Sequence, residues 1–402
     1  MSSQPSDSGA AALVLGGEAD APVMTRWVQI AFFLIATNAV LIQTIATDDS
    51  PVKNIIRVAV LVITVFFLFI RRTVFPTVIM GLIIVSAVFL LVTGNTDQFT
   101  VLYVMLFVPA LWSIPERKLW KAGAIASIFA LLLVFIFLRL GLTSNDLLVS
   151  QTYLSGDIRS RYSFGTQGVP FFMNLVYGAV ATTMFYLYRW RIRGRLLISA
   201  AAVAVATYLF IQTDGRGGYT AIWLFVVFAL LMRRMVKFTF LRLLLTIQPV
   251  LMLGFSLLMA YERGSAWWNA VFSFRPALYG TFLDSMNFWD IIHSVTVKNT
   301  ADVTTVDSSA LHLLYGGGLL VFIAFCIIFA RAVSTLIKRQ MHLELAFLTS
   351  VMMYSTTESI LLRVENIFIM LAWYLILRYG LAEHESAPRE RSLPGAARTA
   401  TL

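Results

Sequence analysis

The sequence predicts an all-α, polytopic integral membrane protein with about twelve transmembrane helices and a large, partly helical periplasmic loop. Of its 402 residues, 59% are hydrophobic and 13% are charged, and such a composition cannot be buried in one water-soluble core. Apolar stretches of helix length recur along the chain, without the short-period alternation of an outer-membrane strand. Lys and Arg cluster in every second short loop, as cytoplasmic loops of helical membrane proteins do.

Twelve apolar stretches define the predicted spans. They lie at about 27–46, 54–70, 74–93, 99–114, 121–138, 169–188, 196–212, 219–232, 239–261, 309–330, 343–360 and 365–381. The alternating basic loops predict that both termini are cytoplasmic. We therefore divide the chain into a disordered cytoplasmic tail at 1–24, a single transmembrane domain at 25–382 and a second disordered cytoplasmic tail at 383–402.

The net charge of +10 does not indicate nucleic-acid binding, because the basic residues lie at helix ends rather than on one soluble face. The single cysteine, Cys326, lies in an apolar run and cannot form an intramolecular disulfide. The sequence contains no P-loop, no G-x-S-x-G element and no metal-ligand spacing. We therefore expect neither a cofactor nor a metal.

A second set of basic residues falls on the predicted outer side, in or beside the long loops 139–168 and 262–308. It comprises Arg139, Arg159, Arg161, Arg216 and Arg275, together with His312. Basic residues collected where the positive-inside rule disfavours them need a functional reason.

Three arginines of this set lie in Gly-rich segments. Arg159 and Arg161 precede Gly165 and Gly168, and guanidinium groups match phosphate oxygens, whether of a substrate or of lipid headgroups. Arg216 lies in a tight turn between two spans, where either Asp214 or a ligand phosphate would balance its charge.

The remaining candidates lie further along the chain. Arg275 sits in an aromatic stretch and either binds a ligand or stacks on its neighbours. His312 opens a span followed by three glycines, and acts either as a functional residue or as an interfacial anchor. Glu358, near the outer end of a span, would pair with an arginine or orient a base.

The order of these motifs resembles that of the O-antigen ligase and polymerase superfamily, which are GT-C type membrane glycosyltransferases. The resemblance rests on a basic Gly-rich outer loop, then Gly215-Arg216-Gly217-Gly218, then Arg275-Pro276, then a histidine opening the Gly-rich span from His312 to Gly318. It implies a metal-independent, inverting transferase of the bacterial inner membrane with its active site on the periplasmic side.

By this resemblance, the donor is a polysaccharide on undecaprenyl pyrophosphate, the acceptor is a sugar hydroxyl of lipid A-core, and membrane lipids surround a monomer. Arg161, Arg216 and Arg275 would bind the pyrophosphate and His312 would lie near the acceptor. From their own positions in the sequence, Arg139, Arg159, Asp214 and Glu358 are further candidates for substrate binding. Two alternatives stay open: a repeat-unit polymerase, and a transporter or flippase of lipid-linked glycans.

Overall fold

The computed structural model describes residues 21–45, 51–71, 76–145, 147–151, 158–297 and 306–381. Within them the chain is mostly helical, with one two-stranded antiparallel sheet. The first half contains α1 (Ala21–Thr44), α2 (Pro51–Arg71), α3 (Thr77–Thr93), α4 (Thr96–Leu111), α5 (Glu116–Arg139), β1 (Leu147–Gln151), β2 (Ile158–Tyr162), α6 (Val169–Arg189) and α7 (Arg195–Thr213). The second half contains α8 (Arg216–Met235), α9 (Thr239–Thr246), α10 (Gln248–Tyr261), α11 (Ala266–Val271), α12 (Arg275–Asp284), α13 (Phe288–His293), α14 (Ser309–Gly317), α15 (Leu319–Lys338), α16 (His342–Ser355) and α17 (Ile367–Leu381).

Each predicted span overlaps one helix or a pair of consecutive helices, although α16 ends at Ser355, before the end of the predicted 343–360 span. Six helices of the described residues are long and apolar enough to cross a membrane, and the bent pair α9 and α10 would make a seventh span. Four further apolar helices are shorter. An all-α membrane protein is compatible with this architecture, whereas the count of twelve spans and the orientation stay predictions. The predicted tails lie almost entirely outside the described residues.

Two predicted spans are not continuous helices, so these assignments are wrong in detail. The 239–261 stretch bends by 72° between α9 and α10, because Pro249 at the start of α10 cannot continue the preceding helix. The 309–330 stretch breaks at Gly318, whose φ of 84° and ψ of 162° are open mainly to glycine. The helix after this break extends to Lys338.

The two long loops also differ from each other. The described part of 262–308 is partly helical, as predicted, and contains α11, α12 and α13. The 139–168 loop instead contains the β1–β2 hairpin, in which Leu148 pairs with Arg161 and Ser150 pairs with Arg159. The hairpin was not predicted, whereas the described chain is mostly helical and compatible with the predicted all-α fold class. Strands of five residues leave little alternation for the sequence to reveal.

The core lies around α6, α16 and α17, most of whose residues are buried. Trp120 of α5 stacks on Phe185 of α6 with ring centroids 3.7 Å apart. A Cβ atom at Gly380 of α17 would lie 2.3 Å from the carbonyl oxygen of Ile328 of α15, so only glycine allows this close approach. The tight packing holds the helix ends, and with them the candidate site, in fixed positions.

Candidate functional site at one end of the helix bundle

Residues 356–366, which join α16 to α17, form an irregular segment that we call the strap. The hydroxyl of Ser309 in α14 donates to the carbonyl of Glu358 at 2.7 Å and accepts from the backbone N–H of Ile360 at 2.8 Å. The indole N–H of Trp373 donates to the carbonyl of Leu361 at 2.9 Å. The strap is therefore held by α14 on one side and by α17 on the other.

Arg275 connects the strap to α12. Its Nη2 atom lies 2.8 Å from Oε1 of Glu358 and 3.3 Å from Oδ2 of Asp307. Burial lowers the pKa of Arg275, but Glu358 and Asp307 raise it above the ordinary value, so the guanidinium keeps its charge. Burial, reinforced by Asp307, raises the pKa of Glu358 to about 7 despite the opposing effect of Arg275. Nothing in the sequence pointed to the partner Asp307 except its place in the predicted outer loop 262–308.

The turn between α7 and α8 lies against this ion-pair cluster. Arg216 begins α8, and its Nε atom lies 3.3 Å from Oδ1 of Asp214, while 68% of its side chain is exposed. A Cβ atom at Gly217 would lie 3.4 Å from Oε1 of Glu358, and one at Gly218 would lie 2.8 Å from the carbonyl oxygen of Met173. The glycines thus let the turn approach both the strap and α6, and they leave Arg216 at the surface.

Arg161, in β2, is the second cation beside this turn. Its side chain is half-buried, and burial together with the charge of Arg216 lowers its pKa. Two guanidinium groups that repel each other form a surface that an anion such as a phosphate would stabilise. Arg161 and Arg216 thus lie close enough for their charges to interact, whereas the convergence of Arg161, Arg216 and Arg275 on one ligand stays a prediction.

The other predicted arginines are placed differently. Arg139 ends α5 and is exposed, and no described hydrogen bond or ion pair joins it to this cluster. Arg159 is a residue of β2 paired with Ser150. Arg363 of the strap, which is not among the predicted site residues, also lies at the site. Its Cζ atom is 4.5 Å from the ring centroid of Phe171, and its charge opposes the rise that burial causes in the pKa values of Asp307 and Glu358.

His312, in α14, lies beside a carboxylate. Its Nε2 atom is 3.4 Å from Oδ2 of Asp97, in the first turn of α4. The backbone N–H of Val297 donates to the same oxygen at 2.9 Å, and a Cβ atom at Gly316 would lie 2.8 Å from it. Sequence reasoning missed Asp97. The available signal was its position as an acidic residue at the outer start of a span.

The start of α4 is also tied to the end of α14 by amide groups. The Nδ2 atom of Asn95 donates to the carbonyl of Gly316 at 2.9 Å, and Nε2 of Gln98 donates to that of Gly317 at 2.8 Å. These bonds satisfy carbonyls exposed by the helix break at Gly318. They also fix the imidazole of His312 relative to Asp97.

Helix α14 connects the strap and its ion pairs to the His312–Asp97 pair. Ser309 binds the strap, and His312 follows it by three residues, close to one helical turn. A cationic surface, a buried cluster of ion pairs and an imidazole–carboxylate pair thus occupy the same end of the bundle, which we call the site end. This arrangement is suited to binding an anion and to moving a proton.

Comparison of the chain with protein-family models, curated proteins and solved structures found no significant match. Among the described residues, no three His, Cys, Asp or Glu side chains lie together in a group that would hold a metal ion.

Proposed function

We propose that this protein is a membrane glycosyltransferase of the O-antigen ligase type, acting at the periplasmic face of a bacterial inner membrane. It would transfer a polysaccharide from undecaprenyl pyrophosphate to a sugar hydroxyl of lipid A-core. The observation that carries the proposal is the presence of the Arg161–Arg216 surface and the His312–Asp97 pair at one end of a bundle of apolar helices.

The arginine pair supports the role of a phosphate clamp. As the bond between the sugar and the pyrophosphate breaks, negative charge grows on the leaving phosphate oxygen. Two guanidinium groups already held near each other stabilise that charge without reorganising. Arg216 is the more exposed of the two, so in this proposal it meets the donor first.

The imidazole of His312 supports the role of general base. The acceptor hydroxyl oxygen attacks the anomeric carbon, the carbon–oxygen bond to the pyrophosphate breaks, and its electron pair remains on the phosphate. The hydroxyl proton passes to His312, and attack on the face opposite the leaving group inverts the anomeric centre. Asp97, 3.4 Å away, stabilises the imidazolium that forms.

We assign Arg275 a role other than the pyrophosphate binding that the family resemblance implies. Two carboxylates already hold it, and its side chain is largely buried. We assign it the positioning of the strap, because its bond to Glu358 places that residue against Gly217 in the turn that carries Arg216. Loss of Arg275 would therefore act on donor binding through the turn.

The grouping of charges at one end supports transfer at the membrane surface over transport. A transporter or flippase of lipid-linked glycans would instead place charges along a path at mid-depth. A repeat-unit polymerase shares the proposed chemistry and differs in the acceptor alone.

The proposal is tested by reconstituting the purified protein with undecaprenyl-pyrophosphate glycan and one of two acceptors, lipid A-core or a second lipid-linked repeat unit. We expect glycan on lipid A-core, without addition of a divalent metal or ATP. Product on the repeat unit alone would identify a polymerase. Translocation of the donor across the vesicle membrane with neither product would indicate a transporter.

A further inference from the structure

The end of the bundle opposite the site end carries an exposed segment, residues 233–246, which we call the α8–α9 corner. Arg216 begins α8 at the site end, and the 20 residues of this helix extend over about 30 Å before it ends at Met235. The corner is therefore remote from the residues of the proposed reaction.

The geometry of the corner is set by α9, which packs against α15 and is bent by 72° from α10. In a membrane crossed by α10, a helix at this angle lies closer to the plane of the membrane than to its normal. The Nε atom of Arg242 in α9 donates to the carbonyl of Val236, and this bond holds α9 to the end of α8. The corner is thus a fixed part of the fold.

Large apolar side chains project from the corner. Phe238 is 63% exposed, Phe240 is 67% exposed and Leu243 is 54% exposed. Phe240 and Leu243 are three residues apart in α9, so they share one face of the helix, whereas Leu245 is buried. An exposed apolar face on a helix that lies along the membrane plane fits the acyl region of a bilayer.

Cationic side chains lie in the same corner. Arg233, Arg234 and Lys237 are exposed, and among the described residues no ion pair joins any of them to a carboxylate. The chain has no acidic residue between Asp214 and Glu262. The segment that carries these three cations therefore supplies no charge to balance them.

Other arginines at this end of the bundle do have carboxylate partners. The Nε atom of Arg189, in the last turn of α6, lies 2.6 Å from Oε1 of Glu344. The Nη1 atom of Arg378, in the last turn of α17, lies 3.3 Å from Oε1 of Glu116. The corner thus differs from its surroundings in presenting cations that the described residues leave uncompensated.

We propose that the α8–α9 corner binds anionic phospholipids. Its three cations contact the headgroup phosphates, and its three exposed apolar side chains insert among the acyl chains. A zwitterionic headgroup carries its own ammonium group, which competes with the cations, whereas an anionic headgroup has a net charge that attracts them. A soluble acidic partner would balance the cations but would leave the apolar face of α9 in water.

Fluorescence quenching in nanodiscs tests the corner in the full-length chain. In a Cys326→Ala background, Thr239→Cys places a fluorescent label at the start of α9, where the native side chain is exposed. The phosphatidylcholine nanodiscs contain the same small fraction of either spin-labelled phosphatidylglycerol or spin-labelled phosphatidylcholine. We expect spin-labelled phosphatidylglycerol to quench several-fold more strongly, and added salt to reduce the difference by screening the attraction.

Two results of this measurement would overturn the proposal. Equal quenching by the two lipids would mean that the corner does not select anionic headgroups. No quenching by either lipid would place the corner away from the bilayer and leave its cations to a soluble partner.

Two matched triple variants separate binding at the corner from attraction by net charge. The corner variant combines Arg233→Gln, Arg234→Gln and Lys237→Gln. The control variant removes the same charge at the same end of the bundle, between α6 and the start of α7, by combining Arg191→Gln, Arg193→Gln and Arg195→Gln. We expect the corner variant to lose the preference for phosphatidylglycerol and the control variant to keep it. Equal losses would overturn the proposal, and neither variant requires glycan transfer to be measured.

Discussion

The imidazole of His312 and the carboxylate of Asp97 face each other across the junction of α14 and α4, with Nε2 3.4 Å from Oδ2. The same oxygen accepts a hydrogen bond from the backbone N–H of Val297 at 2.9 Å. Because Asp97 is fixed and His312 lies on a helix tied to the same junction, the pair is built before any substrate arrives. Preorganisation of this kind is what a general base requires.

The first prediction concerns this base. His312→Ala should lower transfer by about 10²–10⁴-fold while leaving donor binding largely intact, because the proposed mechanism assigns pyrophosphate binding to the arginines. Single-turnover transfer and donor binding can be measured separately on the purified variant. Asp97→Asn should lower turnover less and leave donor affinity unchanged. If His312→Ala loses donor affinity in proportion to activity, the histidine is a phosphate ligand instead.

The second prediction concerns the phosphate clamp. Arg216→Ala should fold normally and lose donor affinity, and Arg216→Lys should recover little, because a point charge does not replace the two-pronged guanidinium. The chain offers a matched control in Arg263, another exposed arginine paired with an aspartate, Asp284. Arg263→Ala should keep wild-type donor binding. Wild-type turnover in Arg216→Ala at normal abundance would remove Arg216 from the site.

The third prediction concerns the close approach of the α7–α8 turn to α6. In Gly218→Ala the new Cβ atom would meet the carbonyl oxygen of Met173 at 2.8 Å, and backbone cannot move aside as a flexible side chain can. We expect a loss of about 1–3 kcal/mol of stability, measured as a lower melting temperature in detergent. Gly254→Ala is the control, since its Cβ atom would meet nothing within 4 Å. Equal melting temperatures for the two variants would contradict the close contact.

Hydropathy predicted where most of the described helices lie, whereas the site that the outer arginines suggest stays a prediction. The contact partner of His312 was not predictable in the same way. Asp97 pairs with a histidine more than half the chain away, and that pairing depends on which helices pack side by side, a property that hydropathy does not encode. The ion pair between Arg57 of α2 and Glu365 was not predictable either. One charge in an apolar stretch does not change the assignment of that stretch as a span, so Arg57 did not stand out as a functional candidate. The helix break at Gly318 was also not predictable, because glycines in a membrane helix are compatible with close packing as well as with a break.

The fourth prediction concerns orientation. In a Cys326→Ala background, Ala266→Cys in the large loop should react with an impermeant maleimide in intact spheroplasts, because the charge pattern places that loop outside. Ser386→Cys near the C-terminus should react only after lysis. Labelling of both positions from outside would contradict the predicted topology, and reversed labelling would invert it.

The last prediction uses the buried carboxyl of Glu358, which lies in the strap outside the helices. Its pKa is raised from 4.5 to about 7, mainly by burial, so between these values the folded protein binds more protons than the unfolded chain. The free energy of unfolding should therefore fall as the pH rises through this window, by at most about 3 kcal/mol, and level off above it. Glu358→Gln cannot titrate and should show a flatter profile of melting temperature from pH 5 to pH 8.

The control is Glu262→Gln, which removes a carboxylate from the 3₁₀ turn after α10 and should keep the wild-type profile. Parallel profiles for wild type and Glu358→Gln would mean that the carboxyl stays ionised throughout, held by Arg275 more strongly than burial opposes it.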